Sequence, residues 1–190
     1  MRELQNRILK DGEVFPGDVL KVDSFLNHQI DVALAEGIAQ EFYSAFKSEK
    51  VTKVLTIEAS GIALAAFTAV KFGVPMVYAK KTGGNNMSAD TYFSEVHSFT
   101  KNKDYVIRVD KKYLTAADSV LIVDDFLAKG AALKGLTDII RQAGAKAVGA
   151  CIAIEKAYMG GGDEIRNKGI KIYSAACIAE MGENGIKFRG

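Results

Sequence analysis

Apolar and polar positions follow two rhythms along this chain, and the changes from one to the other mark out its elements. Over 31–46 apolar residues return every three or four positions, so that Ala35, Ile38, Ala39, Phe42 and Phe46 share one stripe. With Asp31 before it as an N-cap, the stripe predicts an amphipathic helix packed on a sheet. A shorter helix is expected over 3–10 and a short extended piece at VLKVD (19–23). KVLTIE (53–58) reads as a strand, GIALAAFTAVKFG (61–73) as a helix closed by Gly73, and PMVYAK (75–80) as a strand opened by Pro75. YVIRVD (105–110) and SVLIVDD (119–125) predict two more strands, the second fully buried. A helix over 130–145, a strand over 147–157, a short helix over 162–169 and a strand over 170–180 complete the series. Residues 82–103 show little periodicity at their start and carry Gly, Asn and Ser, which predicts a long loop with a β-ribbon at SEVHSFT (94–100). Loops of this length are usually functional or mobile. Strands separated by helices predict an α/β domain, with a mainly parallel sheet flanked by helices.

Composition narrows this picture. A chain of 190 residues, 48% hydrophobic, is sized for one domain spanning 1–190 with a substantial core. Twenty-five basic and 23 acidic residues give a net charge of +2 and no basic face for a duplex, so nucleic acid is not an expected partner. The charged N-terminus lacks the apolar core of a secretion signal and no later run reaches membrane length, so the expected location is cytoplasmic, with no membrane partner. Cys151 and Cys177 lie in apolar stretches and read as core residues. His28 and His97, the two histidines, have neither zinc-site spacing nor a nucleophile beside them, so no metal site is assigned to the protein. Gly160–Gly162 lacks the strand and helix context of a dinucleotide fingerprint and reads as a flexible turn, and a Walker A lysine motif does not occur.

Ligands of such sheets sit beyond the carboxyl ends of the strands, where helix N-termini present unpaired N–H groups. Two strand ends carry chemistry: TIEASG (56–61) and IVDDFLAKGAA (122–132). In the second, the small residues from Ala128 to Ala132 around Gly130 let backbone amides close on an anion at the start of a helix. Asp124 and Asp125 would repel a phosphate beside them, and suit hydroxyls or a magnesium-bearing ligand instead. A phosphorylated ribose bearing a magnesium-bound diphosphate satisfies both features. A strand end that merely turns to solvent is equally compatible with the pair of acids.

The arrangement VLIVDDFLAKGAA resembles the diphosphate-sugar motif of the type I phosphoribosyltransferases. With KVDSFLNHQID (21–31), TIEASGIA (56–63), HSFTK (97–101) and AIEKAY (153–158) in this order, nearly the whole chain is similar to the bacterial branch of that family that acts on xanthine. The resemblance implies a fold of that type, with a small hood from the N- and C-terminal segments and a flexible loop at 82–103 that closes over the reaction. It implies that Asp124 and Asp125 hold the ribose hydroxyls of phosphoribosyl diphosphate and that Ala128, Lys129, Gly130, Ala131 and Ala132 bind its 5-phosphate. Relatives often carry Ser or Thr late in this loop; Ala131 and Ala132 leave the work to amides, with Lys129 an electrostatic helper or a surface cation. Ala59, Ser60 and Gly61 resemble the family's diphosphate loop, although Ser60 would equally serve as a helix N-cap. Lys80 and Lys81 would help neutralise the diphosphate or simply face solvent. For the purine, the resemblance implies Leu20 as an apolar wall, Asn27 on the 2-oxo edge and Lys156 donating to the 6-oxo group; Phe126 would stack on the base or belong to the core. The implied activity is purine salvage with xanthine and phosphoribosyl diphosphate as substrates, substrate-bound Mg2+ as cofactor, and a homodimer. A hypoxanthine or guanine transferase, and a non-catalytic sensor of phosphoribosyl diphosphate, are the alternatives; the second would need a nucleic-acid reader that the sequence does not show.

Overall fold

The computed structural model describes residues 1–81, 90–98, 103–182 and 185–189. Its centre is an eight-stranded sheet. Five strands run parallel: β3 (Lys53–Ile57), β4 (Met76–Lys81), β7 (Ser119–Leu127), β8 (Lys146–Lys156) and β9 (Ile172–Gly182). At one edge β10 (Gly185–Phe188) pairs antiparallel with β9, and at the other a ribbon of β5 (Thr91–Ser98) and β6 (Lys103–Asp110) joins antiparallel to the end of β4. The order across the sheet is β10-β9-β8-β7-β3-β4-β6-β5. Because β7 and β8 are covered on both faces, they are continuous buried runs rather than alternating ones.

Helices α2 (Val32–Phe46) and α3 (Gly61–Phe72) cover one face, and α4 (Ala131–Gln142) covers the other. The predicted stripe of α2 is buried in full, and the Asp31 side chain accepts a hydrogen bond from the Leu34 N–H at 3.2 Å. Gly73 ends α3 in the left-handed region at φ 65°, where a residue without Cβ is least strained. Helix α1 (Arg2–Asp11) leads into a two-stranded ribbon, β1 (Glu13–Phe15) and β2 (Val19–Lys21), which forms a separate small sheet at the carboxyl end of the main one. A single π-helical turn, Asp23–Asn27, then connects to α2. Among the described residues no helix is long and apolar enough to cross a membrane.

Several expectations need correcting. Residues 91–98 form an eight-residue strand, longer than the predicted ribbon and starting earlier, while 82–89 and 99–102 of the expected loop lie outside the described residues. The extended reading of 19–23 stops at Lys21, because Asp23 already belongs to the π turn. Cys151 is fully buried as expected, but Cys177 is only half-buried. Gly160–Gly162 is no flexible turn: Gly161 and Gly162 are buried and open the helix α5 (Gly161–Asn167).

Candidate active site

The carboxyl ends of β3, β4, β7 and β8 converge, and the sequence-predicted residues divide there into two groups. The first gathers around Asp124. Its side chain is only 5% exposed, and its Oδ1 accepts the Asp125 N–H at 3.0 Å. A Cβ on Gly61 would stand 3.1 Å from that oxygen and 2.2 Å from Thr56 Oγ1, so the turn 59–61 lies directly against the acid, and only glycine fits at its last position. Burial raises the Asp124 carboxyl well above its ordinary range, the charge of Asp125 adds to this, and Lys81 offsets part of it. Tyr105 on β6 is also raised, by burial and then by Asp124. Asp125 is half-buried, Ala59 exposed and Ser60 half-buried. Ser60 occupies the N-cap position of α3, but its side chain makes no capping bond. The Glu58–Ala59 peptide is cis, and Glu58 Oε1 accepts the Lys81 N–H at 2.6 Å. The Lys81 ammonium lies 5.3 Å from the Tyr105 ring centre, and that of Lys80 5.9 Å from the Tyr78 ring centre.

The second group lines a cavity of about 510 Å³. Ala128, Lys129, Gly130, Ala131 and Ala132 border it together with Leu20, Asn27, Phe126 and Lys156, so the anion loop and all three purine candidates share one space. Asp124, Asp125 and the 59–61 turn are not part of its lining. Gly130 takes φ 77° and immediately precedes α4, a twelve-residue helix whose first turn receives no side-chain cap. The leading N–H groups of a helix have no intrahelical partner, and they carry the positive end of its dipole. The loop therefore offers main-chain donors to an anion.

Around the purine candidates the polar atoms are arranged unevenly. Lys156 Nζ donates to the Asp18 carbonyl at 2.5 Å and stands 5.3 Å from the centre of the Phe126 ring. Burial lowers its ammonium from the ordinary lysine range, with Asp18 acting against this. Burial, followed by Asp18, pushes the Tyr158 hydroxyl up to about 12. Asn27 Oδ1 is buried without a hydrogen-bond partner among the described residues, which a native site tolerates most readily where a ligand supplies the missing donor. Leu20 is 6% exposed and belongs to the core as well as to the cavity wall; Phe126 likewise packs on the core while lining the cavity.

Sequence reasoning missed Asp18, Tyr105 and His97, which also line the cavity. Asp18 had a signal: Pro16, Gly17 and Asp18 are turn residues between β1 and β2, and Gly17 and Asp18 both take positive φ, 81° and 61°. Tyr105 and His97 come from the β5–β6 ribbon, where His97 Nδ1 lies 2.6 Å from Asp104 Oδ1. They reach the site by tertiary placement, for which no local pattern exists.

Comparison with known proteins gives the family and the fold. The family model described as the phosphoribosyl transferase domain matches residues 21–166. The xanthine phosphoribosyltransferase of Clostridium novyi is 52% identical over 189 residues, covering 100% of both chains. That of Ruminiclostridium cellulolyticum is 53% identical over 185 residues, covering 97% of both. Among solved structures, the APRTase of Giardia lamblia complexed with 9-deazaadenine superposes with a TM-score of 0.77 over 90% of this chain and 95% of that one, at 23% identity. The adenine phosphoribosyltransferase of Saccharomyces cerevisiae gives 0.73 over 92% and 99%, at 16% identity. At such identities these two structures speak for the fold alone.

Proposed function

The chain belongs to the phosphoribosyl transferase family, and from that premise we propose that it transfers the phosphoribosyl group of phosphoribosyl diphosphate to xanthine, giving xanthosine monophosphate and diphosphate in purine salvage. The full-length similarity to xanthine phosphoribosyltransferases supports the choice of base. The observation that carries the reading is the shared cavity: an amide-rich loop, a lysine donor and the Asn27 amide line the same space.

In this reading the amides of residues 128–132 take the 5-phosphate and Asp124 and Asp125 accept from the ribose hydroxyls. The turn 59–61, with Lys81 nearby, takes the diphosphate. Magnesium arrives with the donor as its diphosphate complex, so one or two carboxylates suffice for it on the protein side. The reaction breaks the bond from the glycosidic carbon to the diphosphate oxygen and forms one to the imidazole nitrogen of the purine, whose proton leaves. Charge builds on the sugar carbon as the diphosphate departs, so the protein contributes mainly positioning and electrostatic stabilisation. Lys156 exchanges the Asp18 carbonyl for the purine 6-oxo group. One charged hydrogen bond replaces another, whereas adenine, with an amino group there, leaves the lysine unpaired. Asn27 Oδ1 accepts a purine N–H and its amide donates to the 2-oxo edge.

The charged substrates and the free thiols Cys151 and Cys177 suit a reducing cytoplasm, and the homodimer implied by the family completes the proposal. The test is diphosphate release from magnesium phosphoribosyl diphosphate with and without xanthine. Release that depends on xanthine is the expected result; donor binding without release would identify a sensor instead.

A further inference from the structure

We infer that Arg166 is a positioning residue for this reaction, joining the loop that takes the 5-phosphate to the strand end that carries Lys156; the inference rests on the function proposed above. Glu155, one residue before Lys156 on β8, is only 1% exposed. Its two carboxylate oxygens accept from the guanidinium of Arg166, Nη1 to Oε1 at 2.8 Å and Nη2 to Oε2 at 2.6 Å, and the Ser174 hydroxyl on β9 donates to Oε2. Burial alone would raise this carboxyl, but Arg166 and Ser174 together hold it below its usual range. A bidentate pair of this kind fixes orientation as well as distance.

Arg166 lies on α5, and the other residues of that helix press against the anion loop. A Cβ on Gly161 would stand 2.2 Å from the Ala128 carbonyl oxygen, 2.4 Å from the Lys129 carbonyl carbon and 2.7 Å from the Gly130 nitrogen. A Cβ on Gly162 would come within 2.0 Å of Glu155 Oε1. Ile165 closes the same contact from the next turn, 2.7 Å from where a Gly130 Cβ would be. Gly161 and Gly162 are thus wedged between the backbone of the anion loop on one side and the Glu155 carboxylate on the other, with no space for a side chain at either position. Pulling Arg166 onto Glu155 presses Gly161 against the loop, and the same bond anchors the residue before Lys156. One joint therefore sets the spacing between the two halves of the substrate site. Gly161 and Gly162 are the structural requirement of that joint.

The experiment compares the wild type with Arg166→Met, Arg166→Lys and Gly161→Ala, measuring the KM for donor and for xanthine separately. Arg166→Met raises the donor KM by about tenfold or more, the size of a lost charged hydrogen bond, and raises the xanthine KM as well. Arg166→Lys recovers part of both, as a merely space-filling residue would not predict. Gly161→Ala displaces only the loop side, so the donor KM rises while the xanthine KM stays within about twofold. Folded Arg166→Met with both constants within about twofold of wild type overturns the inference, as does an unchanged donor KM in Gly161→Ala. If Arg166→Met does not fold, the Arg166→Lys and Gly161→Ala pair decides. A wild type that forms no xanthosine monophosphate defeats the function instead, and calorimetric binding of ribose 5-phosphate to the same variants then tests the joint independently of turnover.

Discussion

Lys156 and Asp124 show how single groups are prepared for a ligand. Lys156 is held in advance by a main-chain oxygen, that of Asp18, in a half-buried setting beside an aromatic ring. Lys156→Met keeps the stem and removes the donor. It should raise the xanthine KM by about 10- to 100-fold, corresponding to one charged hydrogen bond, while the donor KM changes little; steady-state kinetics with each substrate varied checks it. Asp124 faces a different balance, because burial and the neighbouring Asp125 raise its carboxyl well above the ordinary range. A carboxyl raised on folding contributes fully below its unfolded value, near pH 4, and its contribution is lost as the pH climbs through the raised value. Asp124→Asn should therefore melt higher than the wild type at neutral pH, by roughly 2–4 °C for each kcal/mol relieved, with the advantage gone at about pH 4. Turnover should fall in the same variant. A melting difference independent of pH would show that the acid is not strained by its burial.

At the scale of elements, helices with one apolar stripe were the most legible. The α2 stripe repeats with helical period and is buried as read, and Asp31 caps the helix as read, since a helix face on a sheet leaves its mark at every turn. Helix α3 ends at Gly73, where a Cβ would meet open space but the backbone is left-handed. Gly73→Ala should thus cost about 1 kcal/mol, a fall of roughly 2–4 °C in Tm by calorimetry, and leave both KM values unchanged, because the other end of this helix faces Asp124. The short edge elements were hard to read for a physical reason. All three residues of β1 are exposed, so it carries no alternation that burial would impose; β5 does alternate, with Tyr92, Ser94 and Val96 turned inward and Phe93 and Glu95 exposed, but the polar Ser94 on the inner face and the exposed Phe93 on the outer one blur the hydrophobic pattern. Gly160–Gly162 was misread because a flexible turn and a close backbone approach have the same composition; only the loop and the carboxylate packed opposite distinguish them.

For the molecule as a whole, alternation of strand and helix was enough to place a parallel sheet, and the strand-end rule located both TIEASG and IVDDFLAKGAA where the sheet's carboxyl ends meet. The anion loop and the purine candidates converge on one cavity although they are far apart in sequence, from Leu20 to Lys156. What the sequence could not display is the part assembled from distant edges: the Asp18 carbonyl on Lys156, Tyr105 beside Asp124, and the Arg166 clamp on Glu155. These contacts depend on how the β1–β2 ribbon, the β5–β6 ribbon and α5 come to rest on the sheet, which no local spacing encodes. The central claim is that this cavity pairs a phosphoribosyl donor with xanthine in preference to other purines. It is tested most directly by supplying equal concentrations of xanthine, guanine, hypoxanthine and adenine with limiting magnesium phosphoribosyl diphosphate, and separating the nucleotide products. The account predicts xanthosine monophosphate as the dominant product and none from adenine; a mixture led by guanosine or inosine monophosphate, or any adenosine monophosphate, would contradict it.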